Sequence, residues 1–150
     1  LSVMQYAVEV LEVKHIIICG QSSCGALHGV LNPETVEHLP HVKQWLGFAK
    51  AAHQIIEERA ENLSYDEKLA MLVEENVLLQ LRHLKTHPHV AAKHATGKVQ
   101  LHAWTYDIGA GDVKAYDSDQ KCFIPVEERY AEDVQNYIES QVEGQKNCCD

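Results

Sequence analysis

His15-Ile16-Ile17-Ile18-Cys19-Gly20-Gln21-Ser22-Ser23-Cys24-Gly25-Ala26 is the stretch on which the fold turns. Its first five residues are a β-branched run ended by a glycine, which suits a strand buried on both faces, as in a parallel sheet. The polar turn Gln21-Ser22-Ser23 leads into Cys24-Gly25-Ala26-Leu27, where a helix is expected to begin, and Asn32-Pro33 ends that helix. A strand passing through a tight turn into a helix is the building unit of layered α/β domains.

Working outward, Val3, Tyr6, Ala7, Val10 and Val13 follow helical spacing, and Ser2-Val3-Met4-Gln5 fits the S-x-x-Q capping box. Residues 2–13 therefore read as an amphipathic helix. Downstream, residues 40–62 read as helical. Ser64-Tyr65-Asp66-Glu67 is a second capping box, and Leu69, Leu72, Val73, Val77, Leu81 and Leu84 form one apolar stripe behind it. A short helix follows Pro88 and closes at Gly97. Val99 to Ile108 is a strand, with Leu101, Ala103 and Thr105 alternating against Gln100, His102 and Trp104. Gly109-Ala110-Gly111-Asp112 turns it into Val113–Tyr116, an antiparallel partner. Val126 to Val142 reads as a last helix and Gly144–Asp150 as a polar tail.

The order α-β-α-α-α-α-β-β-α predicts an α/β fold, and with neither repeat nor linker residues 1–150 make one domain. Three strands are few for so many helices, and a strand such as Ile16–Cys19 wants a neighbour on each side. The chain also opens on Leu1 and enters a helix cap at once. Both features lead us to expect an internal piece of a longer protein.

The 150 residues are 45% hydrophobic and 23% charged, a balance that argues against disorder and lets a core form without disulfides. Twenty-two acidic against 13 basic side chains leave a net charge of −9. Such a surface repels phosphate backbones and anionic lipid, so nucleic acid and membrane are excluded as partners. No apolar run approaches the roughly 20 residues that cross a bilayer, and no secretory signal is evident. The five cysteines lack the spacing of a disulfide scaffold and read as reduced thiols in the cytoplasm.

Cys24 is the residue most suited to chemistry. A thiol at a helix N-terminus has its thiolate favoured by the dipole and by free backbone N–H groups, which fits a nucleophile or a metal ligand. The alternative is a small buried residue packing a tight turn. A loop cysteine that handles oxyanions needs an arginine beside it, but Arg59, Arg82 and Arg129 all lie outside the loop. His38-x-x-His41 and His87-x-His89 have metal-like spacing, yet ten histidines in 150 residues make such pairs expected by chance, and solvated surface histidines are the better reading.

The segment Ser2–Val30 resembles the central segment of β-class carbonic anhydrases, whose pattern is a helix, a strand and then C-G-H-x-x-C-G. Glu75-Asn76-Val77, Leu84-Lys85-Thr86-His87-Pro88 and Trp104-Thr105-Tyr106-Asp107 match in order, and the resemblance covers about residues 2–130. It implies a partial β-carbonic-anhydrase-like fold: a central parallel strand with an added C-terminal hairpin, flanked by helices, its N-terminal strands missing. It also implies a zinc enzyme (carbonate dehydratase, a lyase) that interconverts carbon dioxide and bicarbonate, working as a homodimer or larger homo-oligomer in the cytoplasm or a carboxysome. Zinc in that family is held by two cysteines and a histidine.

The second motif cysteine maps to Cys24, while Cys19 matches a position that is not a ligand. The family's histidine ligand falls on Gln21, whose amide oxygen is a far poorer donor to zinc than imidazole. The other cysteine ligand belongs to an upstream C-x-D-x-R motif that this chain lacks. His28, one turn beyond Cys24, points down the helix and is a poor substitute. Tyr106 resembles a tyrosine that helps hold a regulatory bicarbonate in some bacterial members; packing of a strand aromatic on a helix is its other reading. The metal residues implied are thus Cys24 and Gln21, an incomplete zinc set with little or no activity. The alternatives are a catalytically dead scaffold or partner subunit and, more remotely, an enzyme using Cys24 as nucleophile.

Overall fold

The computed structural model describes residues 2–146. Its elements are α1 (Ser2–Glu9), β1 (His15–Gln21), α2 (Gly25–Leu31), α3 (Pro40–Leu46), α4 (Lys50–Arg59), α5 (Tyr65–Leu84), α6 (Pro88–Ala95), β2 (Gln100–Tyr106), β3 (Val113–Asp117), β4 (Cys122–Pro125), α7 (Val126–Arg129) and α8 (Ala131–Lys146). The predicted α/β class holds, and the predicted elements follow one another in the expected order, with one strand added and two helices divided. The capping box before α5 forms as expected: Ser64 Oγ accepts from the Glu67 amide, and the Glu67 carboxylate accepts from the Ser64 amide at 2.8 Å.

The boundaries differ where the chain must turn. α1 stops at Glu9 rather than residue 13, because Glu12 adopts the left-handed conformation (φ 51°) that reverses the chain toward β1. The predicted helix over 40–62 is broken by a 3-10 turn at Gly47–Ala49. The helix predicted from Val126 to Val142 is interrupted at Tyr130, which separates α7 from α8. Gly144 belongs to α8 rather than to a tail, and residues 147–150 lie outside the described residues. β4 escaped the sequence reading because four residues are too few to show a period of two.

The four strands form one mixed sheet in the order β1-β2-β3-β4. β1 and β2 are parallel along their full length, from His15 opposite Gln100 to Gln21 opposite Tyr106, and β2-β3-β4 continue antiparallel. Among the described residues β1 has a single neighbour, so its other edge is unpaired, as the missing strands of the resemblance imply.

One sheet face carries the core. Ile16, Ile18 and Leu101 pack with Val8, Leu84, Val90 and Val99 beneath α1, α5 and α6. A second cluster joins α2, α4 and α5 through Leu27, Ala52, Ile56 and Leu72. Gly20 lets α5 approach: a Cβ there would lie 2.5 Å from Val77 Cγ2 and 2.9 Å from Val73 Cγ1. The expectation of a strand buried on both faces is corrected by the other face, where Ile17 is 44% exposed and His15, Cys19 and Gln21 are also exposed. That face is left open because the described chain lays helices mainly on the opposite side of β1.

Two outcomes are expected. Gly20→Ala should lower unfolding stability by about 1–3 kcal/mol through overpacking against α5, whereas Gly25→Ala, with open space around its Cβ, should change it by less than about 0.5 kcal/mol; denaturant titration of both variants checks this. A polypeptide of these 150 residues should self-associate through its unpaired strand edge, and a monodisperse, cooperatively unfolding monomer in sedimentation velocity and thermal melts would contradict that.

Candidate functional site

The turn after β1 is tied down by hydrogen bonds to the end of β2. The Ser22 amide donates to Tyr106 O at 2.8 Å, and Ser22 Oγ accepts from the Ile108 amide at 2.9 Å. Ser23 takes a left-handed conformation (φ 54°), which redirects the chain so that Cys24 becomes the N-cap of α2. The Cys24 carbonyl accepts from the His28 amide at 2.9 Å, while its thiol makes no capping hydrogen bond.

Cys24 is half-buried and lines a cavity of about 280 Å³ between α2, α3 and α5. The wall is largely apolar, built by Leu27, Trp45, Leu46 and Phe48, with two carboxamides at one side. Gln80 Nε2 donates to Asn76 Oδ1 at 3.1 Å, which fixes the pair. Gln21 is exposed at the end of β1 opposite Tyr106 and is not among the residues lining this cavity.

Ser22 and Tyr106 instead line a second, more polar cavity of about 220 Å³, closed by Glu74 of α5 and by Asp107, Asp112 and Lys114. Tyr106 thus stands at the rim of a pocket facing α5, a geometry compatible with both of its readings. Desolvation pushes the Glu74 carboxyl above the usual range, reinforced by Glu75 and opposed by Lys114. Burial likewise pushes the Cys19 thiol up.

Among the described residues no group of three or more His, Cys, Asp or Glu side chains could hold a metal ion. The donors at hand are one thiol and one neutral amide, which do not fit a zinc centre of the Cys₂His type. His28 is exposed, with its ring edge-on to Tyr65 at 5.6 Å, and lies outside the Cys24 cavity. His38 and His41 are exposed, and His89 faces Glu9 at 3.3 Å, in keeping with surface histidines. Arg59 is engaged by Glu75 at 3.0 Å, so it does not serve the turn as an oxyanion holder.

Glu74, Lys114 and Gln80 went unnoticed in the sequence. Gln80 follows Asn76 of the Glu75-Asn76-Val77 motif by four residues, the spacing of one helix face, and that was a usable signal. Nothing local links Glu74 to Lys114, which the sheet brings together across 40 positions of chain.

A sheet begun by a parallel pair, crossed by a long helix, with a cysteine capping the helix after its first strand, defines the class of β-carbonic anhydrase folds. The carbonic anhydrase family model matches residues 1–113, and the chain belongs to that family. It is 37% identical over 123 residues to carbonic anhydrase 1 of Escherichia coli O157:H7, covering 82% of this chain and 56% of the relative. It is 35% identical over 127 residues to a carbonic anhydrase of Synechocystis, covering 84% and 46%. Among solved structures, the β-carbonic anhydrase CcaA superposes with a TM-score of 0.79 at 35% identity, over 83% of this chain and 56% of that one. A tetrameric β-carbonic anhydrase from Sordaria macrospora superposes with a TM-score of 0.70 at 27% identity, over 82% and 60%. The chain spans about half the length of the curated relatives it matches.

The Glu74 carboxyl yields a pH prediction. Its folded value lies above its unfolded one, so its ionisation opposes folding at neutral pH, and that cost disappears once acid protonates it in both states. Glu74→Gln should therefore raise the thermal midpoint at pH 7 and leave it unchanged near pH 3, as followed by circular dichroism.

Proposed function

We propose that this chain carries the strand–turn–helix half of a β-carbonic anhydrase site, in a protein whose family reaction is the reversible hydration of carbon dioxide to bicarbonate. The observation that carries the reading is Cys24, which caps α2 directly after β1 and turns its half-buried thiol to a cavity. Support comes from the family match over this segment and from the likeness to CcaA.

In this reading Cys24 is a metal ligand and Gln21 stands at the histidine ligand's position. Because one thiol and one amide do not make a zinc centre, no catalytic step is assigned to these residues. The 150-residue chain by itself is expected to have an incomplete zinc site and little or no carbonate dehydratase activity. Loss of an imidazole ligand should weaken metal binding by more than the roughly 10–100-fold that outer-shell changes cost.

A second reading, a scaffold or partner subunit without catalytic zinc, is favoured by the exposed amide of Gln21. Homo-oligomerisation suits either reading, given the open face of β1 and the tetrameric assembly of the Sordaria relatives. A reducing cytoplasmic or carboxysomal location agrees with the free thiols of Cys19, Cys24 and Cys122.

Metal analysis of the purified full-length protein beside its Gln21→His variant separates the two. A full equivalent of zinc in both supports an enzyme completed by residues outside this chain; zinc in the variant alone supports the scaffold. For residues 1–150 alone, stopped-flow assay with a pH dye should detect no carbon dioxide hydration above background, and chelator-sensitive activity would refute the incomplete-site reading.

A further inference from the structure

The open face of the sheet carries a polar chain that the carbon dioxide chemistry does not use. His15 on β1 and His102 on β2 lie on this face, His15 Nδ1 3.0 Å from His102 Nε2. His102 Nδ1 lies 2.6 Å from Tyr130 Oη, and Trp104 Nε1 donates to the same oxygen at 3.0 Å. Tyr130 is the residue at which α7 gives way to α8.

With both imidazoles neutral every contact in this chain can be a hydrogen bond, as in the following arrangement. The indole N–H of Trp104 donates to Tyr130 Oη, whose own proton goes to His102 Nδ1. His102 must then carry its hydrogen on Nε2 and donate it to His15 Nδ1. A single added proton on His102 is accommodated, since Tyr130 Oη can accept from both ring and indole. A second, on His15 Nδ1, sets two N–H groups and two positive charges face to face, and the contact cannot survive.

Arg129 and Tyr130 are half-buried, whereas every residue from 131 to 141 of α8 is exposed. The charged neighbours lean against protonation. Desolvation and the facing His15 hold the His102 imidazole below its ordinary value, Arg129 adds to this, and Asp133 of α8 opposes it. Arg129 lies 5.2 Å from the Tyr130 ring centroid and 3.5 Å from Asp117 Oδ2 on β3, an ion-pair distance without a hydrogen bond.

We propose that His15, His102 and Tyr130 form a pH-sensitive anchor that fastens the α7–α8 junction to the sheet at neutral pH and releases it in mild acid. The sign follows from linkage. The neutral imidazole is favoured in the anchored state, so anchoring is fully present above about pH 6.5, the free-histidine value, and weakens as pH falls below it. Release frees α8, whose exposed Val134, Tyr137 and Ile138 already form an apolar stripe.

Hydrogen exchange with mass spectrometry on the full chain, corrected for the intrinsic pH dependence of exchange, tests the anchor. Between pH 7.5 and 5.5, protection of amides in residues 130–138 should fall about tenfold, the loss of a hydrogen-bonded contact, while Ala103 and Ala115 in the sheet keep theirs. His102→Gln, which can still accept from Tyr130 and donate to His15, should abolish the drop; Tyr130→Phe should give low protection at both pH values. If His102→Gln does not fold, His15→Gln, which removes the second proton's site, must abolish the drop instead. Protection that is independent of pH in the unmodified protein, an equal fall throughout the sheet, or a drop that persists in the folded histidine variant would each overturn the proposal.

Discussion

The parallel pairing of β1 with β2 is the contact on which the rest of the molecule depends. The two strands are distant in sequence, and their alignment along seven residues sets three things at once. It places Ile16 and Ile18 beside Leu101 on the helix-covered face, so that one continuous core forms under α1, α5 and α6. It sets Gln21 opposite Tyr106 and lets Ser22 tie into the end of β2, which aims the turn before α2. It also brings His15 within reach of His102 on the other face. A slip by one residue would exchange the two faces and lose all three.

Close contact with α5 then decides where chemistry can sit. Because Gly20 has no side chain, α5 lies directly on β1, and its Asn76 and Gln80 reach the cavity of Cys24 while Glu74 reaches that of Tyr106. The turn is thereby split between two environments. The thiol faces an apolar cavity on the helix side, and the amide of Gln21 stays in solvent at the sheet end. This separation, together with the single described thiol in the cavity, is why the residues present do not fit a zinc centre even though the family is plain.

Much of the architecture was readable without coordinates. The capping box at Ser64, the stripe from Leu69 to Leu84 and the alternation through Leu101 and Ala103 each express a local period that the backbone obeys wherever it lies. The motif around Cys24 was legible for a related reason, since a thiol after a strand and before a helix is a local arrangement. What escaped notice was set by distant parts of the chain. The interruption at Tyr130 depends on a hydroxyl held by His102 and Trp104, and β4 exists because β3 offers it an edge.

By itself, then, the sequence determined the α/β class, the order of elements, the family and the position of Cys24, because each rests on propensities and spacings within a few residues. Only the tertiary structure decided that one face of β1 is open rather than buried, that Gln21 and Cys24 look into different surroundings, and that Glu74 is desolvated beside Lys114. Those outcomes depend on which surfaces of the chain come together. Burial and charge are properties of assembled neighbours, and no local pattern carries them.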